Sequence, residues 1–175
     1  RSVGTSSLIY MTMPAVAAMG GAIKSSVEWE QALAGVAKTT DMTGKELQGM
    51  GSEITAMSNK MPFAATEIAG VAEAAGQLGV KKSEITDFTE TMMNMSVATN
   101  LTADEAATEF ARFANAAGMP IEDVDRLGAA VVNLGNTTAT TEAEIVEMGQ
   151  RLAGAGAQAG FSADEIMSIS AAMSS

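Results

Sequence analysis

One short pattern, written seven times, constrains this chain more than any other feature. Its clearest copy is Leu101-Thr102-Ala103-Asp104-Glu105-Ala106: an apolar residue, a small or capping residue, a carboxylate four places after the apolar one, then another apolar residue. Thr102 can accept a hydrogen bond from the N–H of Glu105 while the Glu105 carboxylate accepts from the N–H of Thr102, and Leu101 can meet Ala106. That is a capping box inside a hydrophobic staple, the signature of a helix start. The copies begin at Met42, Phe63, Val80, Leu101, Met119, Thr140 and Phe161, 17 to 21 residues apart. Four carry the complete Ser/Thr-x-x-Glu box, through Thr43 and Glu46, Thr102 and Glu105, Thr141 and Glu144, and Ser162 and Glu165. In the other three the cap position is Ala64, Lys81 or Pro120, which leaves the staple without the box.

If each copy starts a helix, the chain is a row of short helices. Periodicity adds one over Lys24–Lys38, closed by Thr39-Thr40-Asp41, where Val27, Ala34 and Ala37 recur at helical spacing. The others are expected over Thr43–Asn59, Ala65–Leu78, Ser83–Ala98, Ala103–Ala117, Ile121–Leu134 and Glu142–Gln158, with the last starting at Ala163. Lys60-Met61-Pro62 breaks the chain because the residue before a proline is pushed out of the α region. Gly79, Gly118 and Gly160 suit left-handed helix ends, and Gly135-Asn136 reads as a turn. No run alternates apolar and polar residues with β-branched content. The expected fold class is therefore all-α, an array or bundle of about eight short helices joined by short capped turns, with no sheet.

Composition says what such an array can be built from. Hydrophobic residues make up 47% of the chain but aromatics only 4%, so the core must rest on Ala, Met, Leu, Ile and Val, with Trp29 and Phe88 as anchors. The fourteen methionines, Met92, Met93 and Met95 among them, read as core filling, with an adaptable interaction surface as the alternative. The net charge is −11 and the cations are scattered, Lys81-Lys82 apart, which argues against the clustered positive face that nucleic acid requires. No sequence-specific nucleic-acid binding is expected.

Histidine and cysteine are both absent, removing the commonest general base, the commonest metal ligand and any thiolate or disulfide. The adjacent acids Asp104-Glu105, Glu122-Asp123 and Asp164-Glu165 resemble acid/base pairs or calcium ligands. Neighbours on a helix do not face each other, however, and acids in a first turn complement the helix dipole. Gly154-Ala155-Gly156 with Gly160 superficially resembles a phosphate-cradling loop, but it lacks the preceding strand and the following Lys-Ser or Lys-Thr. No catalytic residue, metal ligand or cofactor is expected, and the chain is read as not an enzyme.

The start of the chain differs from the rest. No charge falls between Ser2 and Ile23, a length that suits a membrane span, although serines, threonines, Pro14 and three glycines dilute it. Residues 1–24 are read as an apolar lead helix, either buried or membrane-active, with Leu8, Ile9, Tyr10, Val16 and Ile23 as the membrane-facing candidates. Beginning at Arg1 and stopping soon after the last helix start, the chain reads as an excerpt of a longer polypeptide.

Several stretches together carry a resemblance. Ser26-Val27-Glu28-Trp29-Glu30-Gln31-Ala32-Leu33-Ala34-Gly35-Val36 is similar to the opening of the helical domain of phage tail tape measure proteins. The likeness continues through Ala74–Val80, Phe88–Met92, Ala98–Ala107, Asn133–Thr140 and Gly160–Ile166. It covers the chain from Ser26 onward, making 25–175 a tape-measure helical domain. Each motif alone is a generic helix cap; their order and spacing carry the specificity.

The resemblance implies a structural component of a phage or phage-like tail that takes part in tail assembly, tail-length determination and genome ejection. It implies tail tube and tail-tip (baseplate) proteins, tail assembly chaperones and further copies of the chain as partners. It further implies a place in the virion tail lumen or tip, with the host cytoplasm during assembly and a host membrane contact on infection. The competing expectation is a membrane-active helical protein forming a pore for DNA passage, for which residues 2–23 are the discriminating feature. The resemblance brings no catalytic residues.

Overall fold

The computed structural model of the chain describes residues 26–175. The expected lead helix over 1–24, and with it Leu8, Ile9, Tyr10, Val16 and Ile23, lies outside the described residues. The rest is all-α: α1 (26–40), α2 (Gly44–Ser58), α3 (Ala65–Gln77), α4 (Ile85–Ala98), α5 (Ala103–Ala117), α6 (Val124–Thr137), α7 (Glu142–Gln158) and α8 (Ala163–Ser174), with a 3₁₀ turn Ile121–Asp123 ahead of α6. There is no strand among the described residues.

The helices are joined by two kinds of connection, and the kinds alternate. After α1, α3, α5 and α7 the chain turns through a single left-handed residue: Asp41 (φ 51), Gly79 (φ 86), Gly118 (φ 65) and Gly160 (φ 87). A β-carbon is disfavoured there, so glycine fills three of the four places, and aspartate, one of the few tolerated alternatives, fills the other. Behind Gly79, the N–H of Val80 donates to the carbonyl of Ala75 and that of Gly79 to Gly76, both at 3.1 Å. Phe161 and Gly160 repeat the pair on Gly156 and Ala157, each at 3.0 Å. These are Schellman closures, which satisfy carbonyls the helix end would otherwise leave free. The apolar residue that closes one helix, Val80, Met119 or Phe161, is also the one that opens the next staple.

After α4 and α6 the connection is extended instead. Thr99 and Thr138 leave the helix in the β region, and each hydroxyl donates to the carbonyl four residues back, Met95 or Leu134, at 2.7 Å. After α2 the chain also leaves without a left-handed residue: Asn59 stays right-handed, and the N–H groups of Lys60 and Met61 both donate to the carbonyl of Met57, at 2.9 and 3.0 Å, ahead of Pro62.

This alternation makes the helical hairpin the repeating unit, with a period of about 40 residues between left-handed turns, within the range of helical-repeat arrays. Counted from Met42, Val80, Met119 and Phe161, α2, α4, α6 and α8 place equivalent residues on one stripe. Leu47, Ile85, Val124 and Ile166 come first, then Met50, Phe88, Leu127 and Ile169, then Ile54, Met92, Val131 and Met173. Between the last two sets lies a small or polar position, Gly51, Thr89, Gly128 or Ser170, buried in every case.

Packing follows the same order. Helices two places apart touch: α3 lies on α5 and α5 on α7, while α2 lies on α4, α4 on α6 and α6 on α8. A β-carbon on Gly76 would strike Thr39 and Thr40 of α1, which places α1 against α3. The result is two layers of helices in a one-dimensional stack. Phe110 and Phe113 of α5 sit at its centre with no exposure, and burying such side chains stabilises by about 2 kcal/mol each.

Four sequence expectations need correcting. Thr39 and Thr40 belong to α1, because both hydroxyls donate back to the carbonyl of Val36, at 3.2 and 2.7 Å, and the turn waits for Asp41. Gly135 and Asn136 lie within α6: Asn136 donates its side-chain amide to the carbonyl of Val132 at 2.9 Å, so the helix runs on to Thr137.

Two of the three staples lacking a cap side chain start imperfectly, while the helix after Phe63 begins at Ala65 as expected. The helix after Val80 begins at Ile85 and not Ser83, and Glu84 N–H instead closes a turn on Lys81 at 2.8 Å. The one after Met119 winds first as 3₁₀. Finally, short connections do not make every consecutive pair neighbours. α5 and α6 barely touch, because the added turn at Pro120–Asp123 carries α6 away onto α4, α7 and α8.

Candidate functional site

The cap residues the sequence singles out fall at helix starts, where the structure shows what each holds. Thr43, Thr102, Thr141 and Ser162 stand in extended conformation ahead of α2, α5, α7 and α8. Their hydroxyl oxygens accept from the N–H of Glu46, Glu105, Glu144 and Glu165 at 3.4, 3.2, 3.3 and 3.3 Å. The four carboxylates in turn accept from the N–H of the cap residue at 2.8 to 2.9 Å. Ala64 supports half a box: it has no hydroxyl, but its N–H donates to Glu67 at 3.1 Å. At the Thr140 copy the staple position is polar, and the Thr140 hydroxyl donates to Glu144 at 3.1 Å.

Donors aimed at a carboxylate favour its charged form. Glu105, Glu144 and Glu165 are held below the ordinary carboxylate range chiefly by the backbone N–H of Thr102, Thr141 and Ser162. Glu46 is pulled furthest, to about 2, first by the Lys82 ammonium and then by Thr43. Carboxylates committed this way are fixed acceptors, poor at taking or giving protons near neutrality. Glu109 on α5 goes the other way: burial pushes it up against the pull of Arg112, with Glu147 and Glu105 adding to the rise.

No group of acidic residues among the described residues could hold a metal ion. The glycines of Gly154-Ala155-Gly156 lie inside α7 and cradle nothing. A β-carbon on Gly156 would come within 2.7 Å of Ile166, so the glycine is there to let α7 and α8 approach. Met92, Met93 and Met95 are buried with Phe88, and Trp29 packs half-buried against the same core.

What the arrangement offers is joints, and some of their residues escape a reading by helix caps alone. Asn100, in the α4–α5 connection, accepts from the N–H of Ala143 in the first turn of α7 at 3.4 Å. Asn115 of α5 donates to the carbonyl of Leu78 at the end of α3, 3.3 Å away. Arg126 of α6 meets Asp164 of α8 at 3.2 Å. Each ties one hairpin to the next, and the signal that finds them is the two-helix period. A groove of about 580 Å³ lies where α3, α4 and α5 meet, between Phe63, Val71, Met93 and Leu101.

Comparison with known sequences decides what kind of protein is built this way. The family model for phage-related minor tail proteins matches residues 51–175, from the middle of α2 through all the later hairpins. The chain belongs to the phage-related minor tail protein family. No curated protein and no solved structure matches it. This minor tail protein is thus a structural component of a phage tail, with its place in the virion among other tail components. Among its described residues no helix is long and apolar enough to cross a membrane.

Proposed function

We propose that this minor tail protein is a tape measure protein, and that residues 26–175 form a compact, non-catalytic helical module of it and not its measuring stalk. A ruler works as continuous helix, where length is proportional to residue number at about 1.5 Å per residue. The observation that supports the module reading is the two-layer stack, in which the longest helix is Glu142–Gln158 and every helix folds back within one turn signal. Family membership and the ordered resemblance to tape measure domains support the wider role in tail assembly, length determination and genome ejection. The tail tube, the tail tip and assembly chaperones are its partners in that role.

An acidic surface, with 21 acids against 10 Lys and Arg over the whole chain, suits a protein that shares the tail lumen with DNA without holding it. The four boxed carboxylates serve architecture, and no reaction is assigned to them.

The test is a deletion of Met119–Ala139 in the phage that carries the protein. As ruler, the tail should shorten by about 32 Å. As module, the loss of α6 exposes the faces of α4 and α8, and assembly or infectivity fails without a population of uniformly shortened, viable tails. Infectious particles with tails shorter by that length in electron micrographs would overturn the module reading.

A further inference from the structure

The junctions between even helices repeat one another, so their differences are informative. Across α2–α4, Thr86 donates to Glu53 at 2.6 Å and Lys82 meets Glu46 at 2.7 Å. Across α6–α8, Arg126 meets Asp164 at 3.2 Å. Between α4 and α6 no side-chain hydrogen bond or ion pair crosses among the described residues. The two helices instead border a furrow, in which a hollow of about 390 Å³ runs on into one of about 110 Å³, with Thr91 and Asp125 lining both. Met95 and Val132 supply apolar lining, and Asn94 and Asn133 stand one on each wall. These two asparagines hold the same place in their helices, fourteen residues after Val80 and Met119, where α2 has Ala56. Both are exposed, and neither side-chain amide has a partner among the described residues. The furrow lies inside the stack, with α2 beyond one wall and α8 beyond the other, so its openness does not depend on either end of the array.

We infer that the α4–α6 furrow is a docking site for an extended, basic segment of another polypeptide. The amides point to extended backbone: each offers a donor and an acceptor to a peptide group whose own N–H and C=O are free, whereas a helix has already paired its own. α4 runs for 14 residues, about 21 Å, which an extended segment of about seven residues spans. Its side chains alternate, so that apolar ones face Met95 and Val132 while the others reach the rims.

Charge selects the partner. No Lys or Arg lines either hollow, and although Glu84 pairs with Lys81, the carboxylates of Asp87, Glu122 and Asp125 have no cation among the described residues. Nucleic acid is excluded by that sign, and a second copy, at net charge −11, repeats it. The chain's own stretch Ser2–Ile23 contains no charge to match it. Lysines or arginines alternating with apolar residues complement both rims and lining. The inference is independent of the tape measure reading.

Two-dimensional NMR on the 175-residue chain tests it. The probe is a synthetic peptide of about seven residues alternating lysine and valine, with its glutamate–valine counterpart as control, in about 0.15 M salt to screen long-range attraction. The lysine peptide should shift the side-chain amides of Asn94 and Asn133 and leave those of Asn59 and Asn115 in place; the glutamate peptide should shift none. Asn94→Ala, which keeps the charge, should weaken binding about threefold or more, as expected for a lost hydrogen bond. Asp125→Asn and Asp104→Asn remove the same charge from the first turn of α6 and of α5, and only the first should weaken binding. All three positions are exposed, so helical circular dichroism should not change. Equal weakening by the two Asp variants would reduce the effect to bulk charge and overturn the inference. Unmoved Asn94 and Asn133 amides at about 1 mM lysine peptide, or equal binding of the glutamate peptide, would overturn it as well.

Discussion

Lys82 Nζ sits 2.7 Å from Glu46 Oε1, while the other oxygen of that carboxylate accepts from the N–H and the hydroxyl of Thr43, each at 2.8 Å. One side chain thereby closes the start of α2 and fastens it to the connection that leads into α4. Because Glu46, Glu105, Glu144 and Glu165 all hold their protons less tightly folded than unfolded, the unfolded chain binds more protons in acid. Their support for the fold is complete above the ordinary carboxylate value of 4.5 and is lost as pH falls toward about 2, where Glu46 itself protonates. Thermal midpoints should be level from neutrality to about pH 5 and fall below it. In Lys82→Ala the Glu46 carboxyl, followed by carbon NMR, should titrate at higher pH; an unmoved midpoint would show that the ion pair does not form in solution.

Thr102→Ala removes the acceptor for the Glu105 N–H and leaves the rest of α5 untouched. The expected loss is about 1 kcal/mol, with Glu105→Ala costing somewhat less. Amide exchange at Asp104 and Glu105 should quicken in Thr102→Ala relative to the middle of the helix. Unchanged exchange there would mean the hydroxyl does not cap.

At Gly118 a β-carbon would meet nothing within 4 Å, so Gly118→Ala isolates the backbone conformation. With φ at 65, the substitution should cost about 1 kcal/mol, the penalty of left-handed geometry for an L-residue. Chemical denaturation measures it: a lowered midpoint with an unchanged slope is the expected result. A neutral outcome would argue that the α5–α6 turn does not persist in solution.

Helix number, helix class and the four complete boxes are legible in the sequence because they are local events, decided within four residues by a hydroxyl and a carboxylate. Asp41 shows why the pairing of helices is not. It occupies the left-handed position that Gly79, Gly118 and Gly160 occupy elsewhere, and a reader looking for glycine misses the first member of the series. Thr39 and Thr40 mislead in the same way. Their hydroxyls bond back to the helix they seem to end, a choice that depends on where the turn residue falls. Gly135 and Asn136 look like a turn, yet the extended exit through Thr138 is what stops α6. The differing exposure of equivalent positions, Leu127 and Val131 covered on α6 and Ile169 and Met173 exposed on α8, is likewise set by neighbours and not by local sequence.

The alternation of a left-handed turn with an extended one imposes parity on the chain. A helix inserted or removed singly would send every later helix into the opposite layer, matching the stripe of α8 to the surroundings built for α7. A complete hairpin inserted or removed keeps every later face in register with its partner. Viable length variants of this domain should therefore differ by steps of about 40 residues, the hairpin period, and not by the half-step that separates one staple from the next.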